Sequence, residues 1–176
     1  MVNEAVAEMK GETVREPAEV KLDVPTDASL PLDYVSREEL RLEAYRRLAS
    51  VTTHEEVDDI EAEWLDRYGP VPPAAANLLA VGHLRAECFR LGLRDLAITS
   101  GDARLAPIEL RTSEELRLRC VARGALYKEA LHQLVLPLPR GQDPTRYLLE
   151  KLGELFPPTD DGRRGGATAV AVGSPA

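Results

Sequence analysis

The fold of this chain is decided at residues 53–73, which read THEEVDDIEAEWLDRYGPVPP. Thr53 and Glu56 form a predicted capping box, because the hydroxyl can accept the amide of residue 56 while the carboxylate reaches back to the amide of residue 53. The apolar side chains that follow recur every three or four residues, as on one stripe of a helix: Val57, Ile60, Trp64 and Tyr68. Gly69 should end this helix, and the prolines after it start the next one, because proline is tolerated only in the first helical turn.

The same predicted helix is rich in carboxylates. From His54 to Asp66 there are seven acidic residues and no lysine or arginine. At about 100° per residue, four of them share a sector of about 80° beside the apolar stripe, which we call the acidic ridge: Glu56, Asp59, Glu63 and Asp66. A solvated face is one interpretation, since early carboxylates complement the positive helix start. Asp66 lies in the last turn and opposes the helix dipole, which favours a partner that supplies arginines.

Before this stretch the sequence predicts one strand and one helix. Residues 19–24 alternate apolar and charged side chains with the period of two that is typical of a half-buried strand. Ser36 and Glu39 repeat the capping-box pattern, so we expect a helix over residues 37–49. Its inward residues should include Leu40, Ala44 and Leu48.

After this stretch a third helix should end at Gly92, with its inward side formed by Leu78, Val81, Leu84, Cys88 and Leu91. Short apolar runs at residues 93–99 and 105–110 flank the turn Ser100-Gly101-Asp102 and together predict a hairpin.

The last third of the chain is less uniform. Leucines alternate with arginines over residues 116–120, which favours a third strand, although residues 114–121 could also form a helix. A short helix (125–131), a strand (134–138) and a last helix (144–156) complete the outline. The predicted fold class is α+β, with a small mixed β-sheet packed against helices, three consecutive N-terminal helices and one C-terminal helix.

Composition excludes several classes of protein. The 176 residues suit one domain, and a net charge of -8 with a pI near 5.0 disfavours direct binding of nucleic acid. Neither a membrane-spanning apolar run nor a basic-then-apolar leader occurs, so we expect a cytoplasmic protein. Cys88 and Cys120 have no metal-ligand spacing, and buried free thiols are favoured over the alternative of a disulfide between them.

Motifs for catalysis are missing from the sequence. His54, His83 and His132 are scattered and match no zinc-binding pattern, and no phosphate-binding loop or nucleophile elbow occurs. The sequence therefore predicts no catalytic residue, no metal ligand and no cofactor.

Three segments carry a family resemblance: RLEAYRRLAS (41–50), EEVDDIEAEWLDRYGPVP (55–72) and LLAVGHLRAECFRLGL (78–93). They resemble the carboxy-terminal domain of bacterial transcription-repair coupling factors, and the likeness runs over roughly residues 15–156. It is most specific at Y-R-R-L-A and at L-D-R-[FY]-G-x-x-P. By this resemblance residues 1–14 are the end of an upstream translocase module or a linker, and residues 15–157 are the regulatory domain. The polar, small side chains of residues 158–176 predict a disordered tail.

The resemblance also implies a function. Coupling factors link stalled RNA polymerase to nucleotide excision repair through an ATP-driven DNA translocase, and an N-terminal module similar to UvrB recruits UvrA. Their carboxy-terminal domain lies against that UvrB-like module and hides the UvrA-binding surface. The E-x-x-D-R-[FY]-G element, which takes part in this contact, places Glu63, Asp66 and Arg67 at the interface, with Asp59 and Glu56 beside them on the ridge. The expected protein is a monomer that is not an enzyme and that reaches UvrA and RNA polymerase only through the full-length protein.

Two other functions stay open. A nucleic-acid-contacting accessory domain of the translocase could use a basic patch formed by Arg85, Arg90, Arg94, Arg117, Arg119 and Arg123. The net charge of -8 and an aromatic content of only 5% argue against it. A standalone enzyme would need convergent polar side chains, which the sequence does not supply.

Overall fold

Five α-helices and five strands form the part of the chain that the computed structural model describes, residues 19–158. The expectations for residues 1–14 and for the tail lie outside this range. The helices are α1 (Glu38–Ser50), α2 (His54–Tyr68), α3 (Pro73–Leu91), α4 (Thr112–Val121) and α5 (Pro144–Leu155). The strands are β1 (Lys21–Asp23), β2 (Asp95–Thr99), β3 (Asp102–Ala106), β4 (Leu126–Lys128) and β5 (Gln133–Pro137).

The strands form one mixed sheet in the order β1-β2-β3-β5-β4. β1 pairs with β2 in parallel, while the other three pairings are antiparallel. Helices α3 and α5 pack against each other beside this sheet. The predicted α+β class with a small mixed sheet is therefore confirmed.

The predicted hairpin exists, but its second strand was misplaced. The loop has two residues, Ser100 and Gly101, and both have positive φ (56° and 89°), as a hairpin turn of type I′ requires. This tight loop pairs Thr99 with Asp102, so β3 starts at Asp102 rather than at residue 105. Pro107 has no N–H to donate to a ladder, and β3 ends before it.

Residues 112–121 form helix α4, so the favoured prediction of a third strand there was wrong and the helical alternative was right. The backbone N–H of Arg111 donates to a Glu114 carboxylate oxygen at 2.8 Å, which caps the helix start. Glu114 and Leu118, one turn apart, are both buried, whereas Leu116 and Cys120 are exposed. The prediction that Cys120 is a buried thiol was therefore wrong, while Cys88 is buried as expected.

The short helix predicted over residues 125–131 was only partly right. Residues Leu126–Lys128 form strand β4, because they pair with β5 in the register Leu126↔Val135. Only Glu129–Leu131 are helical, as a single 3₁₀ turn. Pairing with a partner strand prevailed over the local helix preference, which sequence periodicity alone does not reveal.

Two apolar clusters share helix α3. One lies between the sheet and helices α3, α4 and α5, with Leu84, Leu105 and Leu148 fully buried in it. The other joins α1, α2 and the first half of α3, and Trp64 is part of it. Trp64 is only 2% exposed, which confirms its predicted inward position. Three other residues predicted to face inward are half-buried: Leu40, Leu78 and Val81.

Of the two predicted capping boxes, one is present. The Thr53 hydroxyl accepts from the Glu56 N–H at 3.3 Å, and the Glu56 carboxylate accepts from the Thr53 N–H. The box at Ser36 and Glu39 was wrong, because α1 begins one residue later than predicted and Arg37 stands at its N-cap without a side-chain cap.

Thr53→Ala should lower the free energy of unfolding by about 1 kcal/mol, because it removes a side-chain acceptor for a helix N–H. Ser36→Ala is the matched control, since its hydroxyl caps nothing, and it should change the stability by less than about 0.5 kcal/mol. Urea denaturation followed by circular dichroism measures both. Equal losses in the two variants would contradict this difference between the helix starts.

Candidate interaction surface

The four carboxylates of the acidic ridge lie on α2 and divide into two pairs. Glu56 and Glu63 make contacts within the domain, whereas Asp59 and Asp66 are exposed. Across residues 19–158, no hydrogen bond or ion pair reaches the carboxylates of Asp59 and Asp66. These two groups are therefore available to a partner as they stand.

Glu56 belongs to the helix start. Its Oε2 accepts from the backbone N–H of Thr52 at 2.6 Å and of Thr53 at 3.3 Å. The Thr52 hydrogen bond is the main reason why the pKa of Glu56 lies below its ordinary value. Its predicted role in partner binding therefore has to coexist with a structural role.

Glu63 joins two helices. Its Oε2 accepts from Arg47 of α1 at 2.6 Å, and its Oε1 accepts from Arg67 of α2 at 2.7 Å. The hydrogen bond from Arg47, followed by that from Arg67, holds the pKa of Glu63 below its ordinary value. Glu63 thus fixes two guanidinium groups at the surface.

The last turn of α2 presents alternating charges. Arg67 is half exposed and lies over the Tyr68 ring, with its guanidinium carbon 5.5 Å from the ring centroid. Behind it, the Tyr34 hydroxyl donates to the Gly69 carbonyl at 3.0 Å, and Gly69 ends the helix with φ 86°. The hydrogen bond from Tyr34 therefore holds the last turn of α2, which carries Asp66, in place.

Sequence reasoning missed Arg47, although it singled out the segment that contains it. The Y-R-R-L-A element was noted as specific, but nothing in its pattern shows that Arg47 faces α2 across sixteen residues. Of the five predicted site residues, Glu63 and Arg67 form an ion pair in the structure. Asp66 is the residue before Arg67 and has no such partner in the described part of the chain. We call the surface formed by Arg47, Glu63, Asp66 and Arg67 the charged turn.

A second polar cluster joins histidines that the sequence analysis treated as scattered. The His54 and His83 rings are 23° from parallel with centroids 5.3 Å apart, and their Nδ1 atoms are 3.0 Å apart. His54 Nε2 lies 3.1 Å from Oε2 of Glu87, which is only 5% exposed. Arg90 Nε donates to the same carboxylate at 3.0 Å, and its Nη2 donates to the Phe156 carbonyl at 2.6 Å.

The contacts of this cluster shift two of its pKa values. Burial raises the pKa of Glu87, but the hydrogen bonds from Arg90 and His54 outweigh it, so the pKa lies below its ordinary value. Burial, assisted by the nearby His54, lowers the pKa of His83. His132 stands apart, exposed on the surface with Nδ1 3.6 Å from Glu109.

Three of the six arginines considered for nucleic-acid contact serve the fold. Arg85 donates to the Val20 carbonyl, Arg90 to Glu87 and Phe156, and Arg117 to the Leu155 carbonyl. These contacts reduce the basic patch that the alternative function would use. Separately, no helix within residues 19–158 is long and apolar enough to cross a bilayer.

Comparisons with known proteins identify a family and several relatives of this chain. The family model of the TRCF domain matches residues 24–116. The transcription-repair-coupling factors of Mycobacterium bovis and Mycobacterium tuberculosis are each 41% identical to this chain over 134 residues, which cover 74% of the chain and 11% of the relative. That of Staphylococcus aureus is 33% identical over 95 residues, covering 53% of the chain and 8% of the relative. The chain thus spans about a tenth of the length of these relatives.

A solved structure shares the fold. The crystal structure of the C-terminal domain of a transcription-repair coupling factor superposes with a TM-score of 0.66 at 19% sequence identity. The match covers 81% of this chain and 92% of the other.

Proposed function

Because this chain belongs to the TRCF domain family, we propose that it is a non-catalytic autoinhibitory domain of a transcription-repair coupling factor. In this proposal the domain docks on the UvrB-like N-terminal module of the same protein and masks its UvrA-binding surface. Residues 15–157 form the regulatory domain, and residues 1–14 belong to the end of the translocase module or a linker. Recognition of stalled RNA polymerase and ATP-driven DNA translocation are then activities of the full-length protein.

The observation that carries the proposal is the unpaired Asp66 beside an ordered pair of arginines. Its exposed carboxylate is an open acceptor for an arginine of the partner, in a geometry that can be bidentate. Arg67 and Arg47 are already oriented by Glu63, so little side-chain freedom remains to be lost on docking. Glu63 therefore acts chiefly as a positioning residue for two cationic groups, while Asp66 makes the direct acidic contact.

A charged surface suits a switch that must open. A docked state favoured by about 3 kcal/mol already keeps the open form near one percent. Polar interfaces between domains of one chain permit such release, whereas a large apolar interface would hold the domains together permanently.

The direct test is binding in trans. The 176-residue chain should bind the isolated N-terminal UvrB-like module and should compete with UvrA for it, because the two would share one surface. Raising the salt concentration should weaken the binding, since the screening length falls from about 10 Å at 0.1 M to about 3 Å at 1 M. Isothermal titration calorimetry at several salt concentrations measures this. Simultaneous binding of UvrA and this chain to the module would contradict the masking proposal.

A further inference from the structure

Next to the second polar cluster, His83 and two carboxylates of α2 have the features of a metal site. Asp58 and Glu61 of α2 face His83 of α3, and one ligand atom from each lies within 4.8 Å of the others. Gly82 helps to bring α3 this close: a Cβ there would lie 3.0 Å from the Leu48 side chain and 3.4 Å from Val57. A Cβ at Gly82 would thus be tight against Leu48 of α1 and in contact with Val57 of α2, so the small residue next to His83 suits the close packing of α3 here.

The distance between His83 and Asp58 is compatible with a metal ion held between them. His83 Nε2 and Asp58 Oδ1 are 3.6 Å apart, which is too long for a hydrogen bond. Two ligands of a tetrahedral Zn²⁺ with bonds near 2.1 Å are about 3.4 Å apart, so this spacing fits an ion between the two atoms. Within residues 19–158 no lysine or arginine forms an ion pair with Asp58 or Glu61.

The hydrogen bonds behind His83 prepare it as a ligand. With both imidazoles neutral, only one arrangement of protons satisfies the contacts. His54 Nε2–H donates to the Glu87 carboxylate, and His54 Nδ1 accepts from His83 Nδ1–H. The lone pair of His83 is then on Nε2, the atom that faces Asp58. A carboxylate that orients a ligating imidazole is the usual outer support of protein metal sites, and here it acts through a second imidazole.

We propose that Asp58, Glu61 and His83 form a binding site for a divalent transition-metal ion, with Zn²⁺ as the expected occupant. One imidazole nitrogen and two carboxylate oxygens are a ligand set that zinc accepts, and the exposed side leaves a fourth position for water. His54 and Glu87 act as positioning residues that fix the tautomer of His83. The proposal differs from the sequence analysis, which predicted no metal ligand, because the ligands come from two helices and match no local motif.

The position of the site gives it a defined consequence. At about 100° per residue, Asp58 and Glu61 lie on the opposite flank of the apolar stripe of α2 from the acidic ridge. A bound ion would tie α2 to α3 and leave the charged turn exposed. It would therefore stabilise the domain without covering the surface proposed for docking.

The test is a Zn²⁺ titration of the 176-residue chain, prepared without a histidine tag, by isothermal titration calorimetry and thermal melting. The parent should bind one Zn²⁺ and melt at a higher temperature when Zn²⁺ is present. His83→Gln and Asp58→Asn should abolish both effects, and the Asp58 side chain is 67% exposed, so its replacement leaves the fold intact. His54→Gln keeps all three ligands but should weaken binding by about 10- to 100-fold, as loss of an outer-shell partner does.

His132→Gln is the matched control, because His132 is also 3.6 Å from a carboxylate but lacks the second carboxylate and the supporting imidazole. It should bind Zn²⁺ as the parent does. The proposal is overturned if the parent takes up no Zn²⁺, if His83→Gln and Asp58→Asn bind it unchanged, or if His132→Gln also loses it. Circular dichroism of each variant verifies the fold.

Discussion

Trp64→Ala is expected to lower the free energy of unfolding by about 3 to 5 kcal/mol, as large-to-small changes in a core do. The Trp64 side chain is 2% exposed and belongs to the cluster that joins α1, α2 and the start of α3. The Tyr34 hydroxyl, which shares its one proton between the Gly69 and Trp64 carbonyls, holds the backbone at this position, so the cavity should close only in part. Such a loss is a large fraction of the stability of an ordinary domain.

Leu65→Ala is the matched control for this prediction. Leu65 is the next residue of the same helix, but it is 55% exposed, so its truncation should change the stability by less than about 0.5 kcal/mol. Urea denaturation of both variants and the parent measures the difference. If Trp64→Ala unfolds like the parent and instead loses affinity for the UvrB-like module, Trp64 is a partner-binding residue and its assignment to the core is wrong.

The sequence predicted best those elements whose signals are local. The α2 helix has a capping box at Thr53, an apolar stripe through Trp64 and a glycine stop, and all three are present. Helix α3 ends at Gly92 as predicted, and Gly92 is in the left-handed region with φ 73°. Each of these features depends on side chains within a few residues of one another, so it can be predicted from the sequence alone.

Predictions failed where distant pairing decides the structure. Strand β4 exists because Leu126 pairs with Val135 of β5, and in helix α4 the side chains of Glu114 and Leu118, one turn apart, are both buried in the domain. The alternation of leucine and arginine there is compatible with a strand until burial is known. Hydrophobic periodicity over a short segment does not distinguish these cases.

In the candidate sites, too, the features set by local sequence were predicted and those set by distant contacts were not. Helical geometry placed Glu56, Asp59, Glu63 and Asp66 on one ridge, but it gave no sign that Arg47 of α1 reaches Glu63. The cluster of His54, His83 and Glu87 was likewise invisible, since these residues are brought together only by the packing of α2 on α3. Charge contacts between helices depend on crossing geometry, which is set by the whole core.

Glu63→Ala/Asp66→Ala is expected to weaken binding of the chain to the UvrB-like module by about 2 to 5 kcal/mol if the charge pairs become desolvated on docking. Neither side chain lies in the apolar clusters, so the fold should persist.

The structure assigns different contributions to binding to Glu63 and Asp66. Asp66→Ala removes the proposed direct acceptor, whereas Glu63→Ala releases Arg47 and Arg67 from their fixed positions. Asp66→Ala should therefore account for the larger part of the loss. In the full-length protein the double change should raise basal UvrA binding.

Glu109→Ala/Glu150→Ala is the matched control, because it removes the same charge from two exposed positions, with side chains 78% and 66% exposed, away from the charged turn. Titration of the parent and both double variants with the module measures the difference. If Glu63→Ala/Asp66→Ala binds the module as tightly as the parent, the charged turn is not the docking site. If Glu109→Ala/Glu150→Ala weakens binding equally, the loss of affinity is due to the change in net charge and not to the charged turn. Circular dichroism distinguishes either result from unfolding, since loss of the Arg47–Glu63 contact between α1 and α2 could otherwise imitate a loss of affinity. Trp64 is buried beneath the same turn, so a disturbed core would also change the stability. If Glu63→Ala/Asp66→Ala keeps its helical signal and its melting temperature but loses affinity, docking depends on the surface charges alone.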